Sequence, residues 1–141
     1  MFIDADVLFA ATATTNAKSA SLALLKIAEA TLIDAVVSTQ VVTEAERNLA
    51  DFAPIRLPEL QLLIARSLQI VPDPTEDEIA TLAGCAHPKD LPILAAAVRE
   101  QCRWLATFNT KHYQPGHQSL RVAEPGNLIR NARWKIAGLE D

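Results

Sequence analysis

Five short apolar runs alternate with longer stretches of helical spacing, and this alternation constrains the fold more than any other feature of the chain. The runs lie at residues 2–4, 32–37, 68–71, 103–108 and 120–123. Between them, 18–30 is rich in Ala and Leu, and Val42, Ala45 and Leu49 recur at helical spacing within 40–50. Leu57, Leu60, Ile64 and Leu68 repeat in the same way, and 90–101 carries three successive alanines. Strands separated by helices are joined by crossovers, which make a parallel sheet covered on both faces. With 141 residues, half of them apolar, the chain suits one domain with a full core. The expected fold is therefore α/β: a single domain over 1–141, a parallel, Rossmann-like sheet of about five strands, helices on both faces, and a helical tail over 125–141. Its active site belongs at the carboxyl ends of the strands.

Local signals set several boundaries. Ser38 or Thr39 can cap the helix over 40–50, and Thr75 with Glu78 forms a capping box before a helix that Gly84 stops. Asp90 can cap the helix that Pro92 begins. After Ile3 the chain is expected to run from its first strand into a loop that carries Asp4 and Asp6.

Composition removes several functional classes. The four glycines are too far apart for a dinucleotide-binding or Walker phosphate loop, and no Gly-x-Ser-x-Gly elbow exists. Cys85 and Cys102 form no Cys-x-x-Cys pair, so free thiols in a reducing cytoplasm are expected. His87, His112 and His117 match no zinc-finger spacing with those cysteines. No apolar run could span a bilayer and the acidic start is unlike a signal peptide, which points to a soluble, unexported protein. The net charge of −4 argues against a nonspecific nucleic-acid coat. It is uneven: residues 1–88 carry 5 Lys/Arg against 12 Asp/Glu, and residues 89–141 carry 8 against 5. The basic part makes Lys111, His112 and Arg121 candidates for contact with RNA.

On this topology Asp4 ends the first strand, Glu44 lies early in the helix after the second, and Asp90 begins the helix before the fourth. All three can reach one edge of the sheet. Converging carboxylates raise one another's pKa, and a divalent cation offsets that cost; ligation by oxygen alone selects Mg²⁺ or Mn²⁺. Such a cation supports phosphoryl chemistry. Asp90 is also accounted for as a helix cap and Glu44 as an exposed helix charge. Asp4 is harder to dismiss, because a carboxylate after Phe2-Ile3 in a buried strand is costly unless paired, hydrogen-bonded or metal-bound.

The same segments resemble a known family. FIDADVLFA is similar to the opening of PIN-domain nucleases, VVSTQVVTEAERNL to their second motif, and HPKDLPILAAAVREQCRWLATFNTKHY to their third. The resemblance covers about residues 1–124. It implies a metal-dependent endoribonuclease acting on single-stranded RNA, with Asp4, Glu44 and Asp90 as catalytic metal ligands for Mg²⁺ or Mn²⁺. Asp6 and Asn109 would be weaker ligands. Two positions depart from the family pattern: Asp6 stands where Asn is common, and Asn109 where many members have a fourth acid. Similarity to VapC-type toxins further implies a cytoplasmic homodimer restrained by a small antitoxin. The alternative is a catalytically silent PIN-like module that binds RNA or protein.

Overall fold

The computed structural model describes residues 1–13 and 19–131. Five strands, β1 (Phe2–Ile3), β2 (Val36–Ser38), β3 (Gln69–Val71), β4 (Trp104–Ala106) and β5 (Arg121–Ala123), form one parallel sheet in the order β3-β2-β1-β4-β5. The chain winds from β1 outward to β3, then returns across the centre to β4 and β5. The order therefore reverses between β1 and β4, and their carboxyl ends flank the crevice that such a reversal opens.

Helices α1 (Ala5–Ala13), α2 (Ala20–Glu29), α3 (Thr39–Phe52) and α4 (Leu57–Ser67) pack against one another, while α5 (Glu76–Ala80) packs on α6 (Leu91–Arg99). Because parallel crossovers are right-handed as a rule, the reversal of winding direction after β3 puts the first group on one face of the sheet and the second on the other. Phe2, Ile3, Leu8, Leu25, Val37, Leu49, Leu94 and Leu105 are fully buried in a single core. Residues 125–131 begin the expected C-terminal helix. Residue 18 of the expected first helix, and 132–141 of the tail with Trp134, lie outside the described residues.

Ser38 accepts from the Val41 amide at 3.4 Å and starts α3, and the Thr75–Glu78 capping box closes in both directions. Three expectations need correction. The loop expected after β1 is helix α1, whose residues Ala5, Val7, Leu8, Ala11 and Thr12 are buried; so apolar a segment shows no polar face to betray its period. The buried stripe of α3 is Val41, Ala45 and Leu49, with Val42 only half-buried. Asp90 does not cap α6: it ends a 3-10 turn (Pro88–Asp90) in helical conformation, and its carboxylate accepts nothing from that helix. Cys85 and Cys102 are free, as expected. Among the described residues no helix is long and apolar enough to cross a membrane.

One glycine ties the loop after β4 to the rest. Gly116 has φ +79°, donates its N–H to the Cys85 carbonyl at 2.7 Å, and would bring an added Cβ to 2.8 Å from the Tyr113 carbonyl oxygen. Gly116→Ala should therefore lower stability by about 1–3 kcal/mol, read as a lower urea midpoint at unchanged slope. A midpoint equal to wild type would contradict this.

Candidate active site

Asp4 follows β1 directly, and its amide donates to the Ala106 carbonyl at the end of β4 (3.0 Å), extending the pairing of the two strands by one bond. Its own carbonyl opens α1, so its carboxylate stands at a helix N-terminus, where negative charge is favoured. Only 8% exposed, this carboxylate accepts three hydrogen bonds. The Ala5 amide donates to Oδ1 at 2.8 Å; the hydroxyls of Thr107 and Tyr113 donate to Oδ2 at 2.9 and 2.8 Å. Burial nonetheless holds its pKa above the usual carboxylate range, the three donors offset this only in part, and the charge of Asp90 pushes the same way.

Glu44 on α3 is half-buried, and its pKa is raised by burial and by Asp4. Asp90 adds to this; Lys89 and Arg47 work against it. Glu44 and Asp90 line one cleft of about 520 Å³ between α3 and the start of α6. Asp90 Oδ2 lies 3.1 Å from Nδ1 of His112, which ties the loop after β4 to the turn before α6. The same two segments are joined by the His87 amide donating to the His112 carbonyl at 2.7 Å.

Asp6, the second residue of α1 and in its first turn, is partly exposed. Its Oδ2 accepts from the Phe108 amide at 3.0 Å and from the Asn109 side-chain amide at 3.3 Å, and lies 3.3 Å from the Thr107 hydroxyl. That hydroxyl has one proton, which the closer Asp4 takes. Oδ1 of Asp6 is buried with no hydrogen-bond partner among the described residues. Burial first, and then Asp4, push the Asp6 pKa up to about 6. The two departures from the family pattern are thus in contact: an acid at 6 and an amide at 109 share a hydrogen bond, so an amide at one position meets an acid at the other.

The structure gathers Asp4, Glu44 and Asp90 into one field of mutual repulsion and brings Asp6 and Asn109 beside them. His112 is committed to Asp90, and Lys111 is exposed on the neighbouring 3-10 turn (Thr110–Tyr113). Arg121 is not at this edge. It begins β5, hence stands at the amino end of the sheet, where its guanidinium lies 5.7 Å from the Trp104 ring. Two contributors had not been singled out in the sequence, Thr107 and Tyr113; a Thr closing a strand and an aromatic after Lys-His were the available signals. Among the described residues no three acidic, imidazole or thiol groups are already closed around a common point. The donor chemistry still suits a hard cation: Asp4, Glu44, Asp90, Asp6 and Asn109 all offer oxygen, burial raises the pKa of Asp4, Asp6 and Glu44, and one buried carboxylate oxygen of Asp6 is unpartnered among the described residues.

The crevice at the strand-order reversal, with carboxylates brought near it from three separate segments, is the candidate site of this fold. The PIN domain family matches residues 1–111, and the chain belongs to that family, whose members are in general nucleases. No curated protein matches it.

Because the folded-state pKa of Asp6 lies above its unfolded value, its protonated form favours the fold. That stability is full below about pH 4 and is lost as pH rises through 6. In metal-free buffer, Asp6→Asn should therefore raise stability at pH 7 by of order 1 kcal/mol, allowing for partial exposure, with no gain at pH 4. Asn109→Asp should lower stability at pH 7, and the double exchange should return it towards wild type. Additive effects of the two substitutions in thermal melts would contradict the contact.

Proposed function

We propose that this chain is a divalent-metal-dependent endoribonuclease that cleaves single-stranded RNA, and that it acts as the toxin of a toxin–antitoxin pair, as a homodimer in the cytoplasm restrained by a small antitoxin. The observation that carries the nuclease reading is Asp4, a buried carboxylate at the strand-order reversal, within electrostatic reach of Glu44 and Asp90 and with its pKa raised by burial. The fold keeps it there at a cost that a core residue would not incur. The resemblance of its motifs at Asp4, Glu44 and Asp90 to those of VapC-type toxins supports the narrower role.

Asp4, Glu44 and Asp90 would hold Mg²⁺ or Mn²⁺, with Asp6 and Asn109 as weaker contributors. Bound there, a hard cation supplies hydroxide at neutral pH and stabilises negative charge on phosphate oxygens. The remaining work belongs to the side chains. Thr107 and Tyr113 fix the orientation of the Asp4 carboxylate through Oδ2. His112 holds Asp90. Asn109, by donating to Asp6, keeps one negative charge at the pair they form. A neutral amide at 109 is the feature that would favour a catalytically silent module, and the acid hydrogen-bonded to it weakens that alternative.

Asp4→Asn should fold, because an amide keeps one acceptor and the hydroxyls of Thr107 and Tyr113 can turn to accept from its NH₂. Its Mn²⁺-dependent cleavage of a labelled single-stranded RNA should fall by about two orders of magnitude or more. Tyr113→Phe removes one donor and should weaken Mn²⁺ dependence about tenfold or more without abolishing cleavage. Wild-type cleavage by Asp4→Asn would refute the assignment of the site.

A further inference from the structure

The cleft between α3 and the start of α6 holds more than the two acids. Arg47, one turn after Glu44 on α3, and Lys89, next to Asp90, line it as well, together with Asn48, Thr43 and Asp73. Both cations are exposed, and among the described residues neither closes an ion pair. Arg99 and Arg121 are by contrast engaged: Arg99 spans Glu78, Glu100 and the Pro72 and Asp73 carbonyls, and Arg121 lies against Trp104. Asp73 is itself occupied, accepting the Gln40 amide at 2.8 Å. Arg47 and Lys89 both act on the Glu44 carboxylate, since each lowers the pKa that burial and Asp4 raise. Two cations beside two crowded carboxylates would, in a purely structural role, be expected to close on them; among the described residues neither does.

We propose that Arg47 and Lys89 form a phosphate clamp that seats the backbone of single-stranded RNA in this cleft, so that the strand enters between α3 and α6 and not over Arg121 and β5. The cleft's volume of about 520 Å³ is within the range that encloses a ligand of nucleotide size. Arg offers a planar pair of donors to phosphate oxygens, and Lys a point charge. The proposal rests on the nuclease reading in one respect: with three acids to two bases, the cleft accepts an anionic strand best when a cation offsets Glu44 and Asp90.

The test measures binding of a fluorescent single-stranded RNA to the chain with its acids intact, in Ca²⁺ in place of Mn²⁺ so that the RNA persists, across a NaCl series. Arg47→Gln and Lys89→Gln are each made in that chain, with Arg121→Gln as the far-edge control. Each cleft substitution should weaken binding about threefold or more and lower the slope of log affinity against log salt by about 0.7. Arg121→Gln should change neither. Wild-type cleavage of the same RNA in Mn²⁺ is assayed in parallel. Cleavage by wild type, with affinity and slope unaltered by Arg47→Gln and Lys89→Gln, overturns the clamp and leaves the nuclease standing. No cleavage, with affinity lost on both substitutions, keeps the clamp and overturns the nuclease. Neither binding nor cleavage overturns both.

Discussion

The structure depends on a carboxylate placed where the core would accept only carbon. Asp4 sits between two strands that are neighbours in the sheet and 103 residues apart in sequence at the Asp4–Thr107 bond. Its amide extends the β1–β4 pairing, its carbonyl opens α1, and its side chain gathers a hydroxyl from each of two segments after β4. Removing that carboxylate from water is offset by three donors and by a helix N-terminus, yet its pKa stays raised. A fold that needed only stability would place an apolar residue there. The residual cost is a standing attraction for a cation, and the neighbouring acids increase it.

The surrounding architecture delivers groups to that point from separate crossovers. The β2–α3 connection, capped by Ser38, brings Glu44; the 3-10 turn before α6 brings Asp90; the β4 end brings Thr107, Asn109, His112 and Tyr113. Gly116 and the His87–His112 backbone bond fasten the last segment to the turn before α6. Charge is distributed with similar economy. The acid at 6 and the amide at 109 occupy one hydrogen-bonded pair, so an amide at 109 does not leave the position without a carboxylate.

Much of this was legible in the sequence because it obeys local rules. Strand and helix alternation fixed the sheet type, the caps at Ser38 and Thr75 fixed two helix starts, and an acid after Phe2-Ile3 marked the centre of the site. What stayed hidden was either uniform or remote. Helix α1 is apolar on nearly every side and offers no periodicity to read. Tyr113 serves Asp4 from 109 residues away, and an aromatic after Lys-His marks its position without showing which carboxylate its hydroxyl reaches. Arg121 looked like part of a basic half, but a strand has two ends, and its position as first residue of β5 puts it at the edge away from the acids. Asp90 satisfied the sequence rule for a cap, yet the 3-10 turn before it leaves it in a helical conformation with its side chain turned to His112. Net charge along a sequence says little about which charges share a face; Arg47 belongs to the acidic part and still lines the cleft beside Lys89.

The central claim is that Asp4 anchors a cation site at the reversal of strand order. Anomalous diffraction from crystals of the wild-type chain grown with Mn²⁺ tests it most directly. The account requires a manganese peak about 2.0–2.3 Å from a carboxylate oxygen of Asp4, with Asp90 or Glu44 completing the shell directly or through water. Manganese bound elsewhere, with the Asp4 carboxylate still engaged only by Ala5, Thr107 and Tyr113, would contradict it.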